Sequence, residues 1–236
     1  MNKKEFTIED VLYMYDTVEK WNIYCGNLTS DKSLIPMYHG LSKAEFYGKG
    51  EFLEGYNSGD LVMQLDGLGD LSYTVFEWDM LQLGKMYTPR KINKIPFYIL
   101  DGWTKDLFKL VKRLDHSINL EYSEYAAADL ISLLTCYSDV ADIRGVFDAV
   151  TASNYSKIPL VSEVVDESHT LDNEVKRIEA QGRYVQVDYK LLDSDDGQRV
   201  IFTAMEDLQD GVVFSKPKII KSRAFKEVCD LSQFIY

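Results

Sequence analysis

The stretch Glu51–Asp70, with the sequence EFLEGYNSGDLVMQLDGLGD, decides the fold that we predict for this chain. Glu51 and Glu54 are three residues apart, and Asp66 and Asp70 are four apart, so each pair shares one face of a helix. The turn residues NSGD between the two pairs predict that two helices fold back on each other. If these helices pack face to face, the four carboxylates meet.

Four carboxylates in close contact repel one another unless a cation lies among them. Because oxygen-only ligands select a hard ion, the pattern indicates Mg²⁺ or Mn²⁺. Carboxylates at this spacing are also common on solvated helix faces, and this simpler interpretation stays open for an acidic chain. The residues around Asp66 and Asp70 are apolar on nearly every side of the predicted helix, which favours burial and therefore a metal.

Two glycines, Gly67 and Gly69, lie beside these aspartates inside the predicted helix, and Asp60 is its predicted N-cap. Each glycine costs a helix interior about 1 kcal/mol relative to alanine, which indicates close approach of a neighbouring backbone or a ligand. Tight helix packing alone also explains them. Glu45 is a reserve candidate ligand, because two glycines interrupt the helical pattern just before the acidic helix.

The whole chain has 236 residues, enough to bury a large core, with 26 basic and 38 acidic residues and a net charge of −12. No cluster of Lys and Arg marks a phosphate-backbone contact, so we expect neither nucleic acid nor an anionic membrane as a partner. A nucleotide held through a metal remains compatible with the charge.

The three cysteines are far apart and form no CxxC pair, which indicates a reducing compartment. With no signal-peptide core and no apolar run of about 18 residues, the sequence predicts a cytoplasmic protein.

Hydrophobic periodicity predicts a mainly α fold, a helical bundle followed by a C-terminal antiparallel β meander. Further helical segments share the spacing of apolar residues: about Ile8–Cys25 after a capping box at Thr7, about Asp60–Leu81, from Glu121 onward, and Ile143 to about Tyr155. Residues 27–40 are predicted to form a loop. Residues 84–118 are predicted to be an insertion between core helices.

The period changes to two from Arg183 onward, which is typical of strands. Two strong turn signals, Asp196-Gly197 and Asp210-Gly211, predict a three-stranded antiparallel meander over about 183–220. We therefore divide the chain into a helical domain, 1–159, and a C-terminal extension, 160–236.

Other residues permit two interpretations. A weaker acidic set marks either a second helix that faces the metal or an Ala-rich core helix with a polar flank, and we favour the latter. This set consists of Glu121, Glu124 and Asp129.

Four tyrosines could stack on a base, although aromatic residues at helical spacing mostly belong to the core. They are Tyr122, Tyr125, Tyr137 and Tyr155. The three histidines show no paired metal-ligand spacing, so we expect them to be structural or surface residues.

Four short motifs follow one another along the chain: Glu51-x-x-Glu54, SGD at 58–60, LDGLGDLSY from Leu65 to Tyr73, and VTASNYSK from Val150 to Lys157. Together they resemble the MazG-like, all-α nucleoside triphosphate pyrophosphohydrolases, most closely the phage-type members with phosphoribosyl-ATP pyrophosphohydrolase domains. The resemblance covers roughly residues 8–159, interrupted by 84–118. The tail from GRYVQVDY to DLSQFIY is similar to the β-rich C-terminal extension of some phage members.

The resemblance implies a helical bundle, assembled as a homodimer or homotetramer, that hydrolyses a (d)NTP to the (d)NMP and pyrophosphate. It assigns Glu51, Glu54, Asp66 and Asp70 to a metal, with Mg²⁺ as the expected cofactor and Mn²⁺ as its substitute. Glu54 and Asp70 are the expected catalytic residues, and we choose Glu54 to activate the attacking water. Phosphoryl transfer asks mainly for positioning and charge neutralisation, which clustered carboxylates and a metal supply.

The resemblance also implies that Asn154 and Lys157 contact the nucleotide or its phosphates. Considered alone, Lys157 is equally compatible with a surface charge near a helix C-terminus. The chain departs from the family where Gly48-Lys49-Gly50 replaces the usual start of the acidic helix, and Asp129 competes with Asp70 for the last acidic position. We favour Asp70.

Two alternative functions remain open at this point. One is hydrolysis of phosphoribosyl-ATP or a modified nucleotide by the same residues. The other is a catalytically silent module that binds nucleotides or proteins. For a phage-encoded member the expected compartment is the host cytoplasm.

Overall fold

The computed structural model of the protein describes residues 3–83, 106–209 and 211–236, and most of the predicted 84–118 insertion lies outside them. The described residues are mainly helical, with a small antiparallel sheet towards the C-terminal end, so the predicted fold class is confirmed. The chain divides into two compact units. Met1–Val150 with Cys229–Tyr236 forms the helical unit, and Thr151–Val228 forms the mixed unit. No helix within the described ranges combines the length and the apolar character that a membrane span requires.

The helical unit is built around one long helix. Its helices are α1 (Ile8–Tyr24), α2 (Ile35–Tyr47), α3 (Phe52–Ser58), α4 (Leu61–Leu83), α5 (Leu107–Asn119), α6 (Ser123–Tyr137) and α7 (Ile143–Ser156), whose last residues belong to the mixed unit. α4 packs against α1, α2, α3 and α6, so it forms the centre of the unit. α5 packs against α6 and α2, so this part of the predicted insertion belongs to the helical unit.

The turn and the buried helix predicted from the acidic stretch are both present. Gly59 ends α3 with a φ of 73°, a left-handed conformation that glycine adopts without steric cost. Asp60 then caps α4, because its Oδ1 accepts a hydrogen bond from the Met63 N–H at 3.1 Å. Side chains such as Leu65 and Phe76 are fully buried along α4, as the apolar pattern predicts.

One helix contradicts the sequence prediction. Residues 27–40 were expected to form a loop, but Lys32–Leu34 is a 3-10 turn and α2 begins at Ile35. Pro36 lies in the first turn of α2, where its missing N–H removes no helical hydrogen bond. Gly40 lies on the exposed side of the helix, where an added Cβ would contact nothing within 4 Å. The loop prediction is therefore wrong, because both residues are tolerated where they stand.

The mixed unit contains the predicted meander. It consists of α8 (Val161–Val164), α9 (Leu171–Glu179), β1 (Tyr184–Val185), β2 (Asp188–Ser194), β3 (Gly197–Asp207) and β4 (Val212–Ile220). β1 and β2 pair with β3 in a single antiparallel register, and β4 also pairs antiparallel with β3. Ser194 lies opposite Gly197, so the predicted hairpin turn joins β2 and β3. The hydrophobic core of the mixed unit includes Val164, Ile178 and Phe202.

A buried carboxylate joins α9 to the segments around it. Glu174 is fully buried and accepts hydrogen bonds from Nε and Nη2 of Arg177 at 2.8 and 2.7 Å, from the Arg223 backbone N–H at 2.7 Å and from His169 at 2.9 Å. Burial alone would raise the pKa of Glu174, but these donors hold it below its ordinary value. His169 and the acidic residue therefore stabilise the fold of this unit.

The end of the chain belongs to the helical unit. The Asp142 N–H donates to the Phe234 carbonyl at 2.8 Å, the Tyr236 N–H donates to the Val140 carbonyl at 3.0 Å, and Leu231 is buried. The border between the units lies inside α7, at 150/151, whereas the sequence prediction placed it at 159/160.

Candidate functional site

Three carboxylates from three different segments meet in the helical unit. Glu45, Glu51 and Asp70 each place one carboxylate oxygen within 4.8 Å of the others. All three side chains are half-buried. The structure therefore brings together two predicted ligands, Glu51 and Asp70, and the reserve candidate Glu45.

Each carboxylate reaches the cluster from a different element. Glu45 lies in the last turn of α2, Glu51 immediately precedes α3, and Asp70 lies in the middle of α4. A Cβ added at Gly67 of α4 would lie 2.6 Å from the backbone nitrogen of Phe52, so this glycine lets α3 approach closely. The predicted close approach of a neighbouring backbone is thereby found at Gly67.

A second glycine gives Glu51 its space. A Cβ added at Gly48, the residue that ends α2, would lie 2.8 Å from the Cγ atom of Glu51. The same Cβ would lie even closer to the Ala44 carbonyl oxygen, so a side chain at this position would require both the end of α2 and the Glu51 side chain to shift. Gly48, which the sequence analysis treated as an interruption of the helical pattern, is therefore part of the local geometry of the cluster.

The electrostatics of the cluster act on Glu51. Burial raises the pKa of the Glu51 carboxyl above its ordinary value, a hydrogen bond with Glu45 opposes this rise, and the negative charge of Asp66 adds to it. Asp66 is thus close enough to Glu51 to influence its ionisation. A cation bound at the cluster would reverse these effects, because it favours the charged carboxylates.

Two of the predicted ligands lie outside the group of three. Asp66 acts on the cluster through its charge, as described above. Glu54 is exposed, and its carboxylate accepts a hydrogen bond from the Gly50 N–H at 2.8 Å. This contact holds the short loop between α2 and α3, the loop that carries Glu51.

Asn154 and Lys157 belong to the mixed unit. Asn154 is buried in the last turn of α7, and its Oδ1 accepts a hydrogen bond from the Lys157 Nζ at 2.6 Å. The lysine side chain is half-buried. The two residues of the predicted nucleotide-binding pair thus contact each other.

The second acidic set forms no part of the carboxylate cluster. Asp129 is buried, forms an ion pair with Arg113 at 2.5 Å and accepts a hydrogen bond from the Ser117 hydroxyl at 2.8 Å. The Glu121 carboxylate lies 3.8 Å from the His39 Nδ1. α6 is thus mainly a core helix, in agreement with the interpretation that we favoured, and Asp70 rather than Asp129 joins the cluster.

Sequence reasoning did not single out Glu77, a carboxylic acid on α4 that is fully buried. Among the described residues, neither of its carboxyl oxygens has a hydrogen-bond partner. Burial raises the pKa of Glu77 to about 8, and the charge of Glu19 adds to the rise. The signal was present in the sequence, since a single glutamate interrupts the apolar run between Phe76 and Trp78.

No family model, curated protein or solved structure matches this chain.

Proposed function

We propose that the chain is a Mg²⁺-dependent nucleoside triphosphate pyrophosphohydrolase, which converts a (d)NTP to the (d)NMP and pyrophosphate. The observation that carries the proposal is the meeting of Glu45, Glu51 and Asp70 oxygens within 4.8 Å. The motifs around Glu51 and Asp70 are those that resemble the MazG-like family. The same resemblance supports assembly as a homodimer or homotetramer.

The donor set fits the proposed ion. It offers only carboxylate oxygens, which hard cations such as Mg²⁺ and Mn²⁺ prefer, and it contains no sulfur or imidazole that would select a softer metal. Mg²⁺ is usually held by a few carboxylates, with its other positions left to water and substrate phosphates. Half-buried carboxylates that face one another repel without such an ion.

Glu45, Glu51 and Asp70 would hold the ion, with Asp66 adding negative charge beside them. When bound, the ion neutralises phosphate charge that builds up during the reaction. In that reaction a water oxygen bonds to the α-phosphorus, the bond from this phosphorus to the bridging oxygen breaks, and the electron pair leaves with pyrophosphate. Glu54 is the carboxylate proposed to take the water proton. The contact of Asn154 and Lys157 with the phosphates stays a prediction from the resemblance.

The first test is catalytic. Purified protein with Mg²⁺, screened against the four dNTPs and four NTPs, should release pyrophosphate from at least one of them. We expect Asp70→Asn and Glu54→Gln each to reduce the rate at least roughly 100-fold, the loss typical of a missing acid–base or charge-stabilising group. Glutamine still accepts the Gly50 hydrogen bond, so a loss in Glu54→Gln reports the missing charge and not a disrupted loop.

The control is Asp16→Asn, which removes an exposed carboxylate of α1 away from the cluster and should keep the wild-type rate. Calorimetric titration with Mg²⁺ adds a test that separates the enzyme from a silent module, because the enzyme should bind the ion at its carboxylates, whereas a silent module need not. Activity that persists in both Asp70→Asn and Glu54→Gln defeats the assignment.

A further inference from the structure

A cavity of about 840 Å³ opens on the helical unit beside α5 and the start of α6. Basic and aromatic side chains share its wall: Lys109, Lys112, Arg113, Phe108, Tyr122 and Tyr125. None of the three clustered carboxylates lines it. Pockets for small organic ligands measure roughly 300–1,000 Å³, so its size suits one such molecule.

Three basic side chains, Lys109, Lys112 and Arg113, line the cavity of a strongly acidic protein. Lys109 pairs with Asp106 at 3.1 Å, and Arg113 pairs with Asp129 at 2.5 Å. In the part of the chain that the structure describes, the Lys112 ammonium makes no ion pair and lies 5.1 Å from the centre of the Phe108 ring. Two carboxylates also line the wall: Asp129 is paired with Arg113, and Asp115 accepts hydrogen bonds from Tyr47 and Asn119. Among the described residues of the wall, Lys112 is therefore the cation that remains to meet an anionic occupant.

The aromatic side chains of the wall are unusually exposed. Phe108 is 57 %, Tyr122 is 55 % and Tyr125 is 64 % accessible to solvent. The rings of Tyr122 and Tyr125 meet edge to face, with their centres 5.9 Å apart. Exposed aromatic rings that gather at a cavity provide faces on which a planar ring can stack. Here the sequence pattern misled, because these two tyrosines were expected to belong to the core.

We infer that this cavity binds a nucleotide through Lys112 and the exposed aromatic rings, at a site separate from the carboxylate cluster. The anion meets the lysine ammonium and the edge of the Arg113 guanidinium, and the base stacks on the tyrosine rings. Because the two carboxylates of the wall, Asp115 and Asp129, are already hydrogen-bonded or ion-paired within the protein, this binding requires no divalent metal. The site is thus independent of the proposed hydrolysis.

The test measures ATP binding by calorimetry in the presence of EDTA, so that no metal occupies the carboxylates. Wild-type protein should bind ATP more tightly than tripolyphosphate and more tightly than adenosine, because the site uses both the charge and the ring. Lys112→Glu and Tyr125→Ala should each weaken ATP binding at least roughly 10-fold, in line with measured stacking and ionic contributions. Both side chains are exposed, so neither change removes core packing.

Two controls accompany these variants. Lys190→Glu reverses an exposed charge on β2, outside the cavity, and should bind ATP like the wild type. Asp70→Asn should also keep the metal-free affinity. A changed affinity in this variant, tighter because one repelling carboxylate is neutralised, would place the nucleotide at the carboxylate cluster and overturn the inference.

Three other outcomes contradict the proposal. Equal affinity for ATP and tripolyphosphate shows that the rings contribute nothing, and equal affinity for ATP and adenosine shows that the cations contribute nothing. If Lys112→Glu and Tyr125→Ala change the sedimentation mass and leave ATP binding intact, the face is an interface between protein chains. Failure of pyrophosphate release with normal metal-free ATP binding would defeat only the proposed hydrolysis.

Discussion

At the scale of single residues, the buried acid Glu77, which has no hydrogen-bond partner among the described residues, sets a pH dependence of stability. Glu77 has an ordinary pKa of 4.5, and burial raises it to about 8 in the folded protein. Between these values the native state holds a proton that the unfolded chain has released. The free energy of unfolding therefore falls as the pH rises through this window.

We predict that Glu77→Gln removes this dependence. Between pH 6 and 8, urea unfolding should show that the wild type loses about 2 kcal/mol more stability than the variant, since each pKa unit corresponds to about 1.4 kcal/mol. Asp79→Asn is the matched control, because burial raises the pKa of Asp79 only to about 6. The change in stability that Asp79 causes therefore lies below pH 6, outside the range of the urea measurement. Parallel pH profiles for the wild type and Glu77→Gln would contradict the prediction.

Residue spacing predicted only part of the carboxylate cluster. Spacing alone pointed to Glu51 and Asp70, because helical neighbours of the same sequence stretch were expected to converge. Spacing could not show that Glu45, and not Glu54, is the third carboxylate of the cluster. Glu51 precedes α3 instead of lying within it, so the common-face rule does not relate it to Glu54. Glu45 enters from α2, a helix that the sequence analysis had placed partly in a loop.

At the scale of elements, the approach of α3 to α4 depends on one small residue. Gly67 contacts the backbone at the start of α3, where a Cβ would lie 2.6 Å from the Phe52 nitrogen and 2.7 Å from its Cα. Backbone atoms at the start of a helix cannot move aside as the end of a flexible side chain can. Because Glu51 adjoins Phe52, the same contact sets the distance between Glu51 and Asp70.

We expect Gly67→Ala to lower the free energy of unfolding by about 1–3 kcal/mol, the usual cost of overpacking, although alanine is the better helix former. It should also lower pyrophosphate release, since α3 must move away from α4. Gly40→Ala, in the exposed interior of α2, meets nothing within 4 Å and should raise stability by about 0.5–1 kcal/mol. Urea titration of both variants checks this contrast, and stabilisation of the protein by Gly67→Ala would refute it.

Elements with strong local signals were predictable, whereas elements decided by tertiary contacts were not. The capping box at Thr7, the turn at Gly59 and the hairpin before Gly197 all follow from local chemistry, and each occurs where predicted. α2 contains Pro36 and Gly40, which locally resemble loop residues. Its packing on α4 is a tertiary contact, and no local pattern expresses it.

At the scale of the whole molecule, the division into units depends on contacts between residues far apart in sequence. Ala141 forms an antiparallel bridge with Ile235, and the Lys4 N–H donates to the Tyr236 hydroxyl at 2.7 Å. The sequence pattern predicts that the whole tail belongs to the C-terminal extension, because residue spacing contains no information about which unit the tail contacts. The segment Cys229–Tyr236 is instead part of the helical unit.

This assignment predicts that the tail stabilises the helices. Ending the chain after Val228 removes the buried Leu231 and the backbone hydrogen bonds of Phe234 and Tyr236, so the helical unit should lose roughly 2–5 kcal/mol. Tryptophan fluorescence reports this unit, because the described tryptophans, Trp21 and Trp78, both belong to it and Trp78 is fully buried. Its urea midpoint should therefore decrease in the truncated protein.

Point variants separate the side-chain contribution from the effect of truncation. Leu231→Ala should reproduce much of the loss, because its side chain is buried, whereas Gln233→Ala changes an exposed neighbour and should shift stability by less than about 0.5 kcal/mol. If truncation leaves the fluorescence-detected midpoint unchanged, the tail contributes nothing to the helices. A lower midpoint in Leu231→Ala with no change in Gln233→Ala would instead show that the buried Leu231 side chain stabilises the helical unit.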